Sequence, residues 1–223
     1  MRAENGRLFG PHAMNRVLRQ GAEAFGIELG DAQLDALLTH LDLLDEWGTR
    51  MNLTAIRDRP SQLTRHVLDS LSVRPWLRGP AVADIGSGAG FPGIPLAVVA
   101  PDLRFTLIES TGKKARFLAH VRDTLGLENV TVVNERAERF RPPAPFSTVV
   151  ARAVGSVADL LRYSTSLVGP GSRLLAMKGR LPEGEIDPIP PQWDLVGTHR
   201  LAVPGLDEER HLIELCRSHD KPR

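Results

Sequence analysis

The sequence has little of several things, and each shortage removes a class of explanation. One cysteine in 223 residues leaves no internal disulfide framework. The longest apolar run, Ile94 to Ala100, is far too short to span a bilayer, and the opening MRAENGRLFGPH has no apolar core of signal-peptide length. A cytoplasmic protein with no membrane contact is therefore expected. Aromatics make up 5%, with a single tyrosine and no run that interleaves them with bases, which argues against a stacking platform for single strands. No cluster of Cys, His or carboxylates has metal-ligand spacing, so no metal is expected. There is no internal repeat or low-complexity segment.

What remains is the composition of a soluble globular protein, 42% hydrophobic and 25% charged, long enough for one large domain or an ordinary domain with an appendage. Cys216, in an alternating apolar run, reads as a small buried hydrophobe. The net charge of +1 hides an uneven distribution. Residues 104–180 carry thirteen bases and six acids, an excess of +7 that is the footprint of a polyanion-binding face.

The chain is organised around AVADIGSGAGFPG at 81–93. Ala81, Val82 and Ala83 read as the end of a buried strand with Asp84 at its carboxyl end. Gly86, Gly88 and Gly90 make a turn that a ligand can approach closely, and Pro92 and Pro95 suit the first turn of a following helix. Strand, glycine turn and helix open a nucleotide-binding α/β sheet. Gly88, Gly90 and Gly93 satisfy GxGxxG, which leaves a dinucleotide open. Asp84, two before the first glycine in a DxGxGxG pattern, instead resembles the first motif of class I S-adenosylmethionine-dependent methyltransferases, which implies S-adenosylmethionine as cofactor. Glu109, closing the next strand, suits either ligand because a carboxylate there accepts both ribose hydroxyls.

Before this stretch three helices are expected: Met14 to Phe25, Asp31 to Trp47 with Asp31 as N-cap, and one capped by Ser61 with Leu63, Val67, Leu68 and Leu71 inward. Residues 1–75 thus read as a helical appendage and 76–223 as the main domain. After it, strands at 104–109, 130–133, 148–151 and 173–177 alternate with helices at 92–100, 112–125 and 157–167, with a short polar helix near Glu135 to Phe140 and a Gly169-Pro170-Gly171 turn. Two final segments, Asp194 to Val203 and His211 to Cys216, read as a hairpin with no helix between its strands. A dinucleotide-binding sheet would continue βαβ. A sheet that finishes in such a hairpin resembles that of class I S-adenosylmethionine-dependent methyltransferases, and the resemblance implies their α/β fold, Rossmann-like, with seven strands ending in an antiparallel hairpin.

MNLTAIRD (51–58), HVLDSL (66–71), DIGSGAGFPGIPL (84–96) running on through ESTGKKARFL (109–118), NERAERF (134–140), ARAV (151–154) and MKG (177–179) together resemble the RsmG (GidB) family, which methylates guanine N7 in 16S rRNA. The resemblance covers most of 40–180; the first dozen residues and 181–195 match nothing. It implies that Gly86, Phe91, the Ala137-Glu138 pair and Arg152 lie on the cofactor. Each has a plainer reading: Phe91 as core, Glu138 as a solvated carboxylate, Arg152 as the ion-pair partner of Asp84 or Glu109. Asn52 reads as a structural cap, and His66 and Asp69 as helix neighbours with no nucleophile beside them.

The resemblance further implies 16S rRNA or the small ribosomal subunit as partner and a monomer as the working state. Arg57, Arg59, Arg65, Lys113, Lys114, Arg116, Lys178 and Arg180 are the candidate phosphate contacts. Guanine N7 carries its lone pair at neutral pH, so no catalytic acid or base is expected. A methyltransferase for another RNA or a small molecule, and a non-catalytic cofactor-binding ribosome-assembly factor, remain open from the residues alone.

Overall fold

The computed structural model describes residues 10–49, 51–181, 184 and 189–218; the first nine residues and part of the 181–195 segment that matched nothing lie outside that range. Strands β1 (Ala81–Ile85), β2 (Arg104–Ile108), β3 (Val130–Val133), β4 (Phe146–Arg152) and β5 (Val168–Lys178) run parallel. The last two, β6 (Trp193–Arg200) and β7 (His211–Arg217), form the hairpin, and β7 pairs antiparallel with β5. The order is β3-β2-β1-β4-β5-β7-β6. Strand order reverses between β1 and β4, where open α/β sheets form their ligand crevice.

Along each strand alternate side chains enter two cores. Val82, Leu107, Val150, Leu175 and Leu212 face one. Ala83, Ile108, Val149, Leu174 and Ile213 face the other, under α7 (Val157–Ser164). The first core takes α5 (Gly93–Val99), α6 (Gly112–Leu125) and the N-terminal helices α1 (Pro11–Glu23) and α2 (Asp31–Gly48). A third helical run comprises α3 (Arg59–Gln62), a π-helical middle (Leu63–Leu68) and α4 (Asp69–Leu71). Leu34, Leu37, Leu41, Leu63, Leu68 and Leu71 are fully buried in one cluster with Ile94, Leu107 and Phe117. The helical layer and the sheet therefore share a single core on this face.

Several local expectations give way to tertiary context. The cap of α2 is Gly30, whose amide donates to Gln33 Oε1 at 3.0 Å, and Asp31 is the first helical residue. The third run is capped by Asp58, which accepts from the Ser61 amide at 2.9 Å, so Ser61 lies inside the helix it was expected to start. Asn52 is exposed and caps no helix. Residues 135–140 make only a turn, closed by the Arg139 and Phe140 amides on the Arg136 carbonyl. The Gly169-Pro170-Gly171 stretch falls within β5, where the register against β4 shifts, and α7 ends at Ser164. Cys216 is only half-buried because its strand lies near the sheet edge. No helix among the described residues is long and apolar enough to cross a membrane.

Candidate active site

The glycine turn sits on the carboxyl end of β1, with Gly86, Gly88 and Gly90 at φ of 66°, 57° and 92°. Side chains rarely adopt such values, and at Gly86 a Cβ would also stand 2.6 Å from Val154 Cγ2. The turn is pinned from beneath by the two carboxylates that the sequence singled out. Glu109 Oε2 accepts from the Gly88 amide at 3.0 Å, and Oε1 accepts from the Thr111 amide at 2.7 Å. Asp84 is fully buried; its Oδ2 accepts from the Gly93 amide at 3.0 Å, tying α5 to β1. A Cβ on Gly93 would come within 2.6 Å of that oxygen. Burial pushes the Asp84 carboxyl up to about 7, with the Gly93 bond working against it.

In front of the turn lies a cleft of about 140 Å³, lined by Gly86, Ser110, Ala137, Glu138, Val154 and Tyr163 among others. The structure thus brings Gly86, Ala137 and Glu138 to one surface. Asp84 and Glu109 do not line it: Ile108 and Ser110 face the cleft, and Glu109 between them faces the turn. The Glu109 carboxylate, expected to accept ribose hydroxyls, here accepts from two backbone amides.

Phe91 and Arg152 lie elsewhere. The Phe91 ring is 4% exposed and stacks against both His40 and His66, with ring centroids 4.6 Å apart in each pair. It is part of the core, as the plainer of its two readings has it. Arg152, whose Cζ stands 5.3 Å from the Phe91 centroid, pairs with neither Asp84 nor Glu109. Its Nη1 donates to Asp69 Oδ2 at 3.0 Å and to the Arg65 carbonyl of the π-helical segment at 2.9 Å. Asp69 is 2% exposed, and its Oδ1 accepts from Arg210 Nε at 3.1 Å. These groups border a second cavity of about 420 Å³, with Ile56, His66, Ala153 and Met177 on its walls.

Two histidines are held neutral. Burial lowers His40 to about 4; its Nε2 donates to the Ala89 carbonyl in the glycine turn at 2.8 Å. Burial, reinforced by the Arg152 charge, lowers His66 to about 4, and its Nε2 lies 2.9 Å from Thr54 Oγ1. Sequence reasoning does not single out His40, Thr54 or Arg210. His40 is one more residue on an amphipathic helix, and Arg210 lies 141 positions from its carboxylate partner.

The profile of the family described as GidB, rRNA small subunit methyltransferase G, matches residues 33–213. The chain belongs to this family. A ribosomal RNA small subunit methyltransferase G of Ectopseudomonas mendocina is 46% identical over 90% of this chain and 95% of its own, and one of Nitrosococcus oceani is 42% identical over 89% and 93%. Among solved structures, the N-methyltransferase NodS from Bradyrhizobium japonicum superposes with a TM-score of 0.53 at 15% identity, over 74% of this chain and all of that one. TrmN from Thermus thermophilus gives 0.51 at 18%, over 70% of this chain and 53% of that one. At such identities the likeness is one of fold, and the fold is that of class I methyltransferases.

Within this member of the family the eight basic candidates separate. Arg59 is bound to Asp42 and, at 3.1 Å, Asp45, and Arg65 to Glu208, so their charges are already met by carboxylates. Lys113, Arg116 and Arg180 are exposed, as is Arg57, whose Nη1 reaches the Gly48 carbonyl at 3.5 Å; Lys114 is half-buried. Lys178 and Arg65 border the second cavity, and Lys178 Nζ donates to the Gly155 carbonyl at 2.8 Å.

Proposed function

We propose that this protein transfers a methyl group from S-adenosylmethionine to N7 of a guanine in 16S rRNA, on the small subunit or its RNA. The observation that carries the reading is the cleft in which Gly86, Ala137 and Glu138 converge at the switch point of a sheet belonging to the rRNA small subunit methyltransferase G family. The residues present fit the cofactor. At Gly86 a Cβ would run into Val154, so the bare backbone is what leaves room for a ligand there. The Glu138 carboxylate and the chain at Ala137 offer an acceptor and a donor for an adenine edge. Glu109, though bonded to two amides, retains lone pairs on both oxygens.

When bound, the cofactor supplies an electrophilic methyl carbon on a sulfonium. The protein's own part is alignment. Glu109 and Asp84 fix the turn and the start of α5 from behind, and His40 fixes Ala89, so the backbone in front of the cleft is set before any ligand arrives. Guanine N7 has no proton to remove, and His66, neutral above about pH 4, has no role as its base. Single-turnover methyl transfer should accordingly show no ionisation of an essential base between about pH 6 and 9.

The test is incubation with labelled cofactor and either small subunits or naked 16S rRNA, with label mapped by N7-specific strand cleavage. Label at one guanine N7 supports the reading. Label on an exocyclic amine or ribose oxygen overturns it, and cofactor binding without transfer leaves the assembly-factor alternative in its place.

A further inference from the structure

The two cavities share a wall. Val154 lines the smaller cleft, and its predecessors Arg152 and Ala153 line the larger. Between them Ala153 sits at φ 57°, among the described residues the one non-glycine in the left-handed region. Backbone held in such a conformation away from glycine is concentrated at functional sites. The two cavities therefore adjoin along the segment just past β4.

Its size and lining also have a direction. At about 420 Å³ it lies in the range of small-ligand pockets. Ile56 and Met177 supply apolar wall. The polar edge is the Asp69 carboxylate held between Arg152 and Arg210. A guanidinium carries five donors, and the two bonds from Arg152 leave others for an acceptor such as a carbonyl oxygen on a base. The Asp69 carboxylate offsets one of the two guanidinium charges, Arg65 and Arg210 also meet Glu208, and Lys178 adds a further cation, so the wall keeps a net positive charge that suits an electron-rich acceptor edge.

Resting on the methyl-transfer reading, we propose that the larger cavity receives the acceptor purine, drawn out of its stack, with Ile56 and Met177 against its faces and the Arg152–Asp69–Arg210 cluster along its edge. Asp69, reached from the helical layer, is a positioning residue acting through the two arginines. Enzymes that do chemistry on a base take it single-stranded or extrude it from the stack, and a base so presented is seated in a pocket beside the cofactor and not on a merely charged surface.

The experiment compares the full-length protein with Ile56→Trp, which fills the cavity from a half-buried loop position, and with Asp69→Asn, which keeps shape and removes charge. Cofactor affinity is read by calorimetry, RNA affinity by filter binding and methyl transfer in a single turnover. A fourth readout is the fluorescence of 2-aminopurine replacing the mapped acceptor in a short RNA. Ile56→Trp should keep cofactor affinity within about twofold and RNA affinity within about threefold, while transfer falls at least about 100-fold, the scale of a misplaced reactant. The fluorescence rise on binding should disappear. Asp69→Asn should lower the transfer rate at least about tenfold with KM for RNA unchanged.

Transfer by Ile56→Trp near the wild-type rate overturns the proposal. So does a fall in RNA affinity with the transfer rate in the bound complex preserved, which would make the cavity a phosphate seat. Where label enters in the wild type scores the target separately: label away from guanine N7 defeats that assignment, while the two variants still decide what the cavity holds.

Discussion

The proposed cofactor cleft and the larger cavity lie on either side of one chain segment and are built by opposite means. The cleft is held from behind by bonds that each join one side chain to backbone nearby in the sequence: Gly88 to Glu109, Gly93 to Asp84 and Asn134 to Glu109 span 21, 9 and 25 positions. The cavity is made of side chains brought from afar: Asp69 meets Arg152 across 83 positions and Arg210 across 141. A site assembled from backbone along a short stretch leaves its mark in consecutive residues, whereas a charge cluster assembled by the fold leaves only scattered arginines and an aspartate. The two should therefore fail differently when broken.

The largest break removes residues 1–75. It takes away Asp69 and His66 and strips the cover from Leu107, Ile94 and Phe117, which share a core with the helical leucines. Each large apolar side chain so exposed forfeits about 1.5–3 kcal/mol, and several together exceed the stability of an ordinary domain. The fragment from 76 onward should be insoluble or show no cooperative thermal transition by circular dichroism. A fragment that melts cooperatively and binds S-adenosylmethionine would show that the cleft stands without the layer.

Point changes separate the two sides more finely. Asp69→Ala leaves two guanidiniums facing each other without their carboxylate, and breaking a buried pair in this way destabilises by about 3–5 kcal/mol. Gly86→Val acts on the other side. Its side chain would meet Val154 in a left-handed turn, so cofactor affinity should fall by at least about 100-fold, with a stability loss nearer 1–3 kcal/mol. Urea titration and calorimetry on both variants check the contrast. Equal losses of stability, or a larger effect of Asp69→Ala on cofactor affinity, would erase it.

That division also explains what is legible in advance. The order of strands, the hairpin and the glycine turn follow from alternation, spacing and turn residues, which are local signals, and they stand in the structure. Gly86, Ala137 and Glu138 can be singled out because family motifs surround them, and the three meet at one cleft. Asp84 and Glu109 are legible as important residues but not as supports behind the turn, since that depends on which way each side chain leaves the strand end. Arg152 takes a partner other than the two expected, for the same reason that Arg210 carries no local signal: nothing within the sequence says which carboxylate a folded arginine reaches. The caps fall at Gly30 and Asp58, and not where expected, because several polar residues near each helix start could serve.

Acid titration probes the buried groups together. His40 and His66 are held at about 4 against a usual 6.5, so an unfolded chain takes up protons that the folded one refuses. Their contribution to stability is complete above pH 6.5 and is lost as the pH falls toward 4. Asp84, raised from 3.8 to about 7, works in the other sense: its contribution is complete below pH 3.8 and is lost as the pH rises through 7. Between about pH 4 and 6.5 unfolding therefore gains two protons and releases one, and these three groups should lower stability by about 1.4 kcal/mol for each unit of acidification. His66→Gln should flatten that slope by about one proton and Asp84→Asn should steepen it, as read from urea midpoints across the window. A slope unchanged in both variants would assign acid sensitivity to other groups.

The smallest expected effect lies on the surface and sharpens the comparison where side chains are solvated. Lys113 and Lys114 open α6 beside the cleft, exposed and half-buried respectively, and belong to the basic excess of the middle of the chain. If they bind phosphate, replacing both by alanine should reduce the slope of log affinity for RNA against log salt by about 0.7–0.9 for each phosphate no longer neutralised. Cofactor affinity and stability should stay nearly unchanged, because neither side chain supports the turn. Arg59→Ala serves as the control. Its guanidinium is bound to Asp42 and Asp45, so removing it withdraws a charge already met within the protein and should leave the salt slope as it was. Filter binding at several salt concentrations compares both variants with the wild type. An unchanged slope in the double lysine variant would assign those lysines to ordinary solvated surface, and a reduced slope in Arg59→Ala would show that RNA competes successfully with the two aspartates for that arginine.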